Sequence, residues 1–262
     1  MSIDLADEMR RLENDHSTGV LRVGDGAFQF VDGAVVFAEC RRTTGLERLV
    51  VEAGVATADE WRRASAGELG DLRGRPRLEA LTVLSIFDAA YFLLASSAIP
   101  EFRAAPAHWL APVCRIAPHT LVEECARRGN PESGAWPASL VDRAPVIPAR
   151  RVRRQRVVLT AGQAEVLATA DTGRSISGIA RDLGRTTFGC LVAVRDLTAA
   201  GLIEPPVPVV LTGPVPTSAE TESGPRLRRR TRPAAAMPLP DRWEPVDREV
   251  LVRLRAALEE LT

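Results

Sequence analysis

Apolar positions change their period several times along the chain, and each change marks an element. Ile3, Leu5, Met9 and Leu12 recur at helical spacing and predict a helix over 3–14. The period then shortens. GVLRV, AFQFV and AVVFAE are β-rich runs separated by GDG and by Asp32-Gly33, and Asp-Gly between apolar runs is a strong hairpin signal, so a small antiparallel meander is expected. Leu46, Leu49, Val50 and Ala53 line one face of a helix that stops at Gly54. TADE (57–60) reads as a capping box opening the next helix, at Trp61. A longer helix starts near Pro76 with Leu78, Leu81, Leu84 and Phe87; YFLLA then reads as a strand, and HTLVEECARR (119–128) as a closing helix.

The second half is organised differently. GNPESGAWPASLVDRAPVIP is rich in Gly, Pro and Ser and reads as a linker. TAGQAEVLATAD (160–171), SISGIARDLG (175–184) and TTFGCLVAVRDLTAAG (186–201) read as three helices, with Gly184 and Gly201 as punctuation and GLIEPPVPVVL as a small wing. Residues 212–241 show no periodicity and much Pro, the composition of a disordered segment. In the last stretch Leu251, Leu254, Leu258 and Leu261 fall at heptad-like spacing on a terminal amphipathic helix. The expected fold is α+β. An antiparallel β-meander with helices occupies 1–130, a linker 131–149, a winged helix-turn-helix 150–211, a disordered Arg/Pro-rich linker 212–241, and a helix 242–262.

TGVLRV, the FVDGAVVFAE hairpin, VEAGVATADEW and LVEECARR resemble the PATAN-type domain of bacterial regulators. VVLTAGQAEVLA, SISGIARDLG and VRDLTAAGLIE resemble the winged-helix family encoded beside roadblock-type proteins and small GTPases in actinobacteria. The two resemblances cover about two thirds of the chain, through apolar and glycine positions that specify fold better than function. They imply a transcriptional regulator or a signalling partner in a GTPase module, and bring no catalytic residues.

Charge sharpens this picture. The chain carries 34 basic and 34 acidic residues in 262; every basic residue is Arg. Residues 1–130 hold 15 Arg against 19 acids, whereas 150–210 hold nine against five. A basic segment inside an otherwise acidic protein suits phosphate contact, for which Arg is the best-shaped residue. Arg151, Arg153, Arg154 and Arg156 enter that segment as a cluster, and Arg226, Arg228, Arg229, Arg230 and Arg232 follow it. Near the start of the would-be recognition helix stand Arg185, Thr186 and Thr187, with Arg195 further along as a DNA-backbone contact or a local partner of Asp196. Phe188, Leu191, Val192, Val194 and Leu197 exceed what one core-facing stripe needs, so part of that helix is expected to face outward with apolar side chains, which suits a protein partner.

Other chemistry is thin. GDGAFQ lacks the third glycine of a dinucleotide fingerprint and sits in a hairpin, and there is no GxSxG, HExxH or P-loop. His108, Cys114, His119 and Cys125 are metal-ligand types without the paired spacing of zinc sites, so they read as core and cap residues. Cys40, Cys114, Cys125 and Cys190 form no CxxC pair and read as reduced thiols. The apolar run 80–99 is interrupted by Asp88, which argues against a membrane span, and the acidic N-terminus does not resemble a signal peptide. The sequence therefore points to a non-enzymatic cytoplasmic regulator with no cofactor and no metal. Its first expected partner is double-stranded DNA, bound with little sequence preference. The alternative is an adaptor for a roadblock-type protein or small GTPase, held through Leu251, Leu254, Leu258 and Leu261. Homodimerisation is compatible with either.

Overall fold

A computed structural model describes residues 4–68, 70–150 and 157–206. Helix α1 (Leu5–Asn14) is capped by Asp4, whose carboxylate accepts from the Ala6 N–H, and it buries Leu5, Met9 and Leu12. Strands β1 (Gly19–Val23), β2 (Gly26–Val31) and β3 (Ala34–Cys40) form the expected meander. Asp32 (φ 51°) and Gly33 (φ 76°) both turn through positive φ between β2 and β3, the geometry that makes Asp-Gly a hairpin dipeptide. Helices α2 (Leu46–Glu52) and α3 (Ala58–Ser65) follow. Thr57 and Glu60 complete the capping box reciprocally.

Helix α4 (Pro76–Leu93) starts with Pro at its first turn and lies against β2 and β3. YFLLA, expected as a strand, supplies its last turn instead: Tyr91, Phe92 and Leu93 are all fully buried, and burial overrides the β preference of the aromatic pair. The fourth strand is β4 (Glu101–Ala104), which pairs antiparallel with β1 and gives the sheet order β3-β2-β1-β4. Helix α5 (Pro118–Arg128) packs on α1 and α4. The protein is thus α+β, with a four-stranded antiparallel sheet and, among the described residues, eight α-helices.

Helices α6 (Ala161–Thr169), α7 (Ile176–Asp182) and α8 (Thr187–Ala199) stand where the three predicted helices stand, each capped by a Thr or Ser side chain. After α8, Ile203 bridges Pro148. Residues 207–211, the rest of the expected wing, lie outside the described residues, as do the segments at 212–241 and 242–262. Among the described residues no helix is long and apolar enough to cross a membrane.

The stretch 131–149 corrects its reading as a linker. Trp136, Ala138, Val141 and Val146 are completely buried, in the same apolar core as the sheet and α6–α8. The Trp136 indole donates to Thr198 on α8 (2.9 Å), Val146 N–H to Arg174 (2.8 Å), and Ala149 N–H to Leu202 (2.9 Å). Trp136, Ala138, Val141 and Val146 anchor it in that core, so the segment is a packed strap although it has no period to reveal it. All described residues fall in one compact unit, Met1–Val210.

Candidate functional site

Two features of α8 decide what this helix can do: how its N-terminus is held, and what its outer face leaves open. The first turn of a helix has N–H groups without intrahelical partners. Here two of them are taken by a carboxylate from α4. Asp88, 1% exposed, accepts from Thr187 N–H (2.9 Å) and Phe188 N–H (2.7 Å). Thr186 adds an ordinary cap by accepting from Gly189 N–H (3.3 Å). The Phe188 ring lies edge-on to Tyr91 (4.7 Å between centroids), and the Arg128 guanidinium sits over it at 4.6 Å. Arg128 is itself fixed by Glu124 (3.0 Å). Burial pushes the Asp88 pKa up to about 6, against the opposing pull of the two N–H bonds and of Arg128. The N-terminus of α8 is therefore seated on α4 and α5.

The residues expected to meet DNA fare accordingly. Thr187 is completely buried, which removes its side chain from any groove-reading role in this arrangement. Arg195 points into the strap, where Nη2 donates to the carbonyls of Pro131 (3.0 Å), Ser133 (2.9 Å) and Trp136 (2.9 Å). Among the described residues it makes no ion pair with Asp196; the pattern i to i+1 places those two side chains on different faces. Thr186 is spent on the cap. Arg185 remains half-exposed but forms an ion pair with Glu165 (2.6 Å). The cluster Arg151, Arg153, Arg154 and Arg156 lies outside the described residues, as do Leu251, Leu254, Leu258 and Leu261.

The turn before α8 is also committed. Gly184 adopts φ 58° and sits so close to Glu52 of α2 that an added Cβ would lie 2.6 Å from that side chain. Only glycine satisfies both demands. Ser177 on α7 donates to the Arg42 carbonyl (2.8 Å), which ties α7 to the loop after β3.

What remains open is a groove of about 470 Å³ between α4, α6 and α8. Leu81 and Leu84 of α4, Val192 and Ala193 of α8, and Gly162 and Gln163 of α6 line it. Leu84 is 49% and Val192 39% exposed, high values for such side chains beside a cavity. At the rim, Asp196 accepts from the Gln163 side-chain amide (3.1 Å). No salt bridge reaches Asp196 among the described residues. The expected outward apolar character of α8 thus resolves into one residue, Val192, while Leu191, Val194 and Leu197 are interior.

The metal-ligand types stay apart in role. His108 stacks on Phe37 (4.9 Å, 2° between planes), and His119 at the start of α5 meets Glu13 (2.7 Å). Burial pushes the Cys114 and Cys125 thiols up to about 11, and Cys190 to about 12, so they are protonated at neutral pH. Among the described residues no group of three or more His, Cys, Asp or Glu side chains could hold a metal ion. Sequence reasoning missed Asp88: an acid in an apolar run was the signal, and it served only to argue against a membrane span. Comparisons with protein-family models, with curated proteins and with solved structures found no match.

Proposed function

We propose that this chain is a non-enzymatic cytoplasmic regulatory protein that works by holding another protein, an adaptor rather than a reader of DNA sequence. The observation that carries this reading is the seating of the α8 N-terminus on Asp88, which turns the first residues of the would-be recognition helix inward. The outer face of α8 offers Gly189, Val192 and Asp196, and none of these is a base-reading or phosphate-binding cation. The resemblance of 1–130 to PATAN-type domains and of 156–205 to GTPase-associated winged helices agrees with an adaptor role beside a roadblock-type protein or small GTPase. Capture from native cells on the full chain, with and without nuclease, tests it. Partners that persist after nuclease support the adaptor; partners all lost with the nucleic acid refute it.

A second reading is favoured by the arginine runs of the sequence. Arg151, Arg153, Arg154 and Arg156 could hold duplex DNA through its phosphates without sequence preference. Replacing all four with Ala should then abolish retention on DNA and flatten its salt dependence, whose slope is about −0.9 per neutralised phosphate. A full chain that is not retained at low ionic strength ends this reading.

A further inference from the structure

An apolar groove with a carboxylate on its rim selects its occupant by shape and by charge. The groove between α4, α6 and α8 leaves Leu84 and Val192 partly in water, and small residues (Gly162, Gly189, Ala193) line it, so a rod can approach closely. A helix satisfies its own backbone and can lie on such a surface without stranding N–H groups, whereas an extended segment cannot. The rim is negative in effect. Arg185 is neutralised by Glu165 (2.6 Å), while Asp196 has an amide partner but no cation among the described residues. Two copies joined groove to groove would bring like rims together, which disfavours self-pairing.

We propose that this groove receives one amphipathic helix of a partner protein, its apolar stripe against Leu84 and Val192 and an Arg or Lys beside that stripe against Asp196. The proposal rests on the adaptor reading and specifies the partner's chemistry at its contact.

The test uses the full chain, methyl-labelled, and two stapled helical peptides of four turns. Both carry a leucine stripe, flanked by Arg in one and by Glu in the other. The Arg peptide should move the Leu84 and Val192 methyl signals and bind about tenfold tighter than the Glu peptide, as expected when an attractive contact replaces a like-charge one. Asp196→Arg should invert that preference. Val192→Glu should abolish binding of both while leaving the melting temperature unchanged, because the position is already exposed. Equal binding of the two peptides, an unchanged preference in Asp196→Arg, or no movement of the two methyl groups overturns the proposal. Methyl signals that shift on dilution would assign the groove to a second copy, and signals that shift in Leu254→Asp/Leu258→Asp to the chain's own tail; either result also overturns it. If the Val192→Glu chain still captures nuclease-resistant partners, the groove inference fails and the adaptor reading stands. If no partner survives nuclease in the wild type, the adaptor reading itself fails.

Discussion

Asp88 is the side chain with the largest consequence. It is an acid in the middle of a buried helix, and its two hydrogen bonds join α4 to a helix about a hundred residues further along. Asp88→Ala strands two buried N–H groups, a loss of about 1–3 kcal/mol for each unsatisfied group, and should lower the urea midpoint accordingly. Its pH signature has a definite sign. The folded pKa is raised from 3.8 to about 6, so between those values the folded chain binds more protons than the unfolded one. This contribution to stability is full below about pH 4 and is lost as pH rises through about 6, and the full shift corresponds to roughly 3 kcal/mol. The stability difference between wild type and Asp88→Asn, from urea unfolding across that range, should show the step. A flat difference would mean that the carboxylate is not buried as described. Arg195 makes the complementary case. Arg195→Gln should lower the melting temperature through lost strap contacts and leave any DNA retention, including its salt slope, as in the wild type.

At the scale of elements, what the sequence shows is what local physics determines. The Asp32-Gly33 turn and the Thr57 capping box each depend on neighbours within a few residues, and both are where the pattern puts them. Two readings failed where long-range packing decides. YFLLA has strand-like composition, yet its position in the last turn of α4, where Asp88 to Leu93 are all buried, keeps it helical. The strap 131–149 carries loop punctuation, and nothing local reveals that Trp136 will be completely buried. Limited proteolysis should therefore spare 131–149, and Trp136→Ala should cost about 3–5 kcal/mol in urea unfolding. Ready cleavage within the strap, with both flanking pieces still folded, would restore the view of two separable domains. The candidate site was legible only in outline. The excess of apolar residues on α8 was visible, but the wall contributed by Leu81 and Leu84 was not, because it depends on how α4 crosses α8.

At the scale of the whole molecule, the seating of α8 sets two functions against each other. If its N-terminus stays on Asp88, α8 serves as one wall of a groove for a protein helix, and any DNA affinity comes from arginines elsewhere in the sequence. If instead α8 leaves α4 to enter DNA, the groove ceases to exist at that moment. Amide hydrogen exchange at Thr187 and Phe188, measured in the full chain with and without excess duplex DNA, separates these directly. The N–H groups bonded to a carboxylate 1% exposed should exchange slowly, at a rate DNA does not change. Fast exchange in the free chain that becomes slow only when DNA is added would contradict the account.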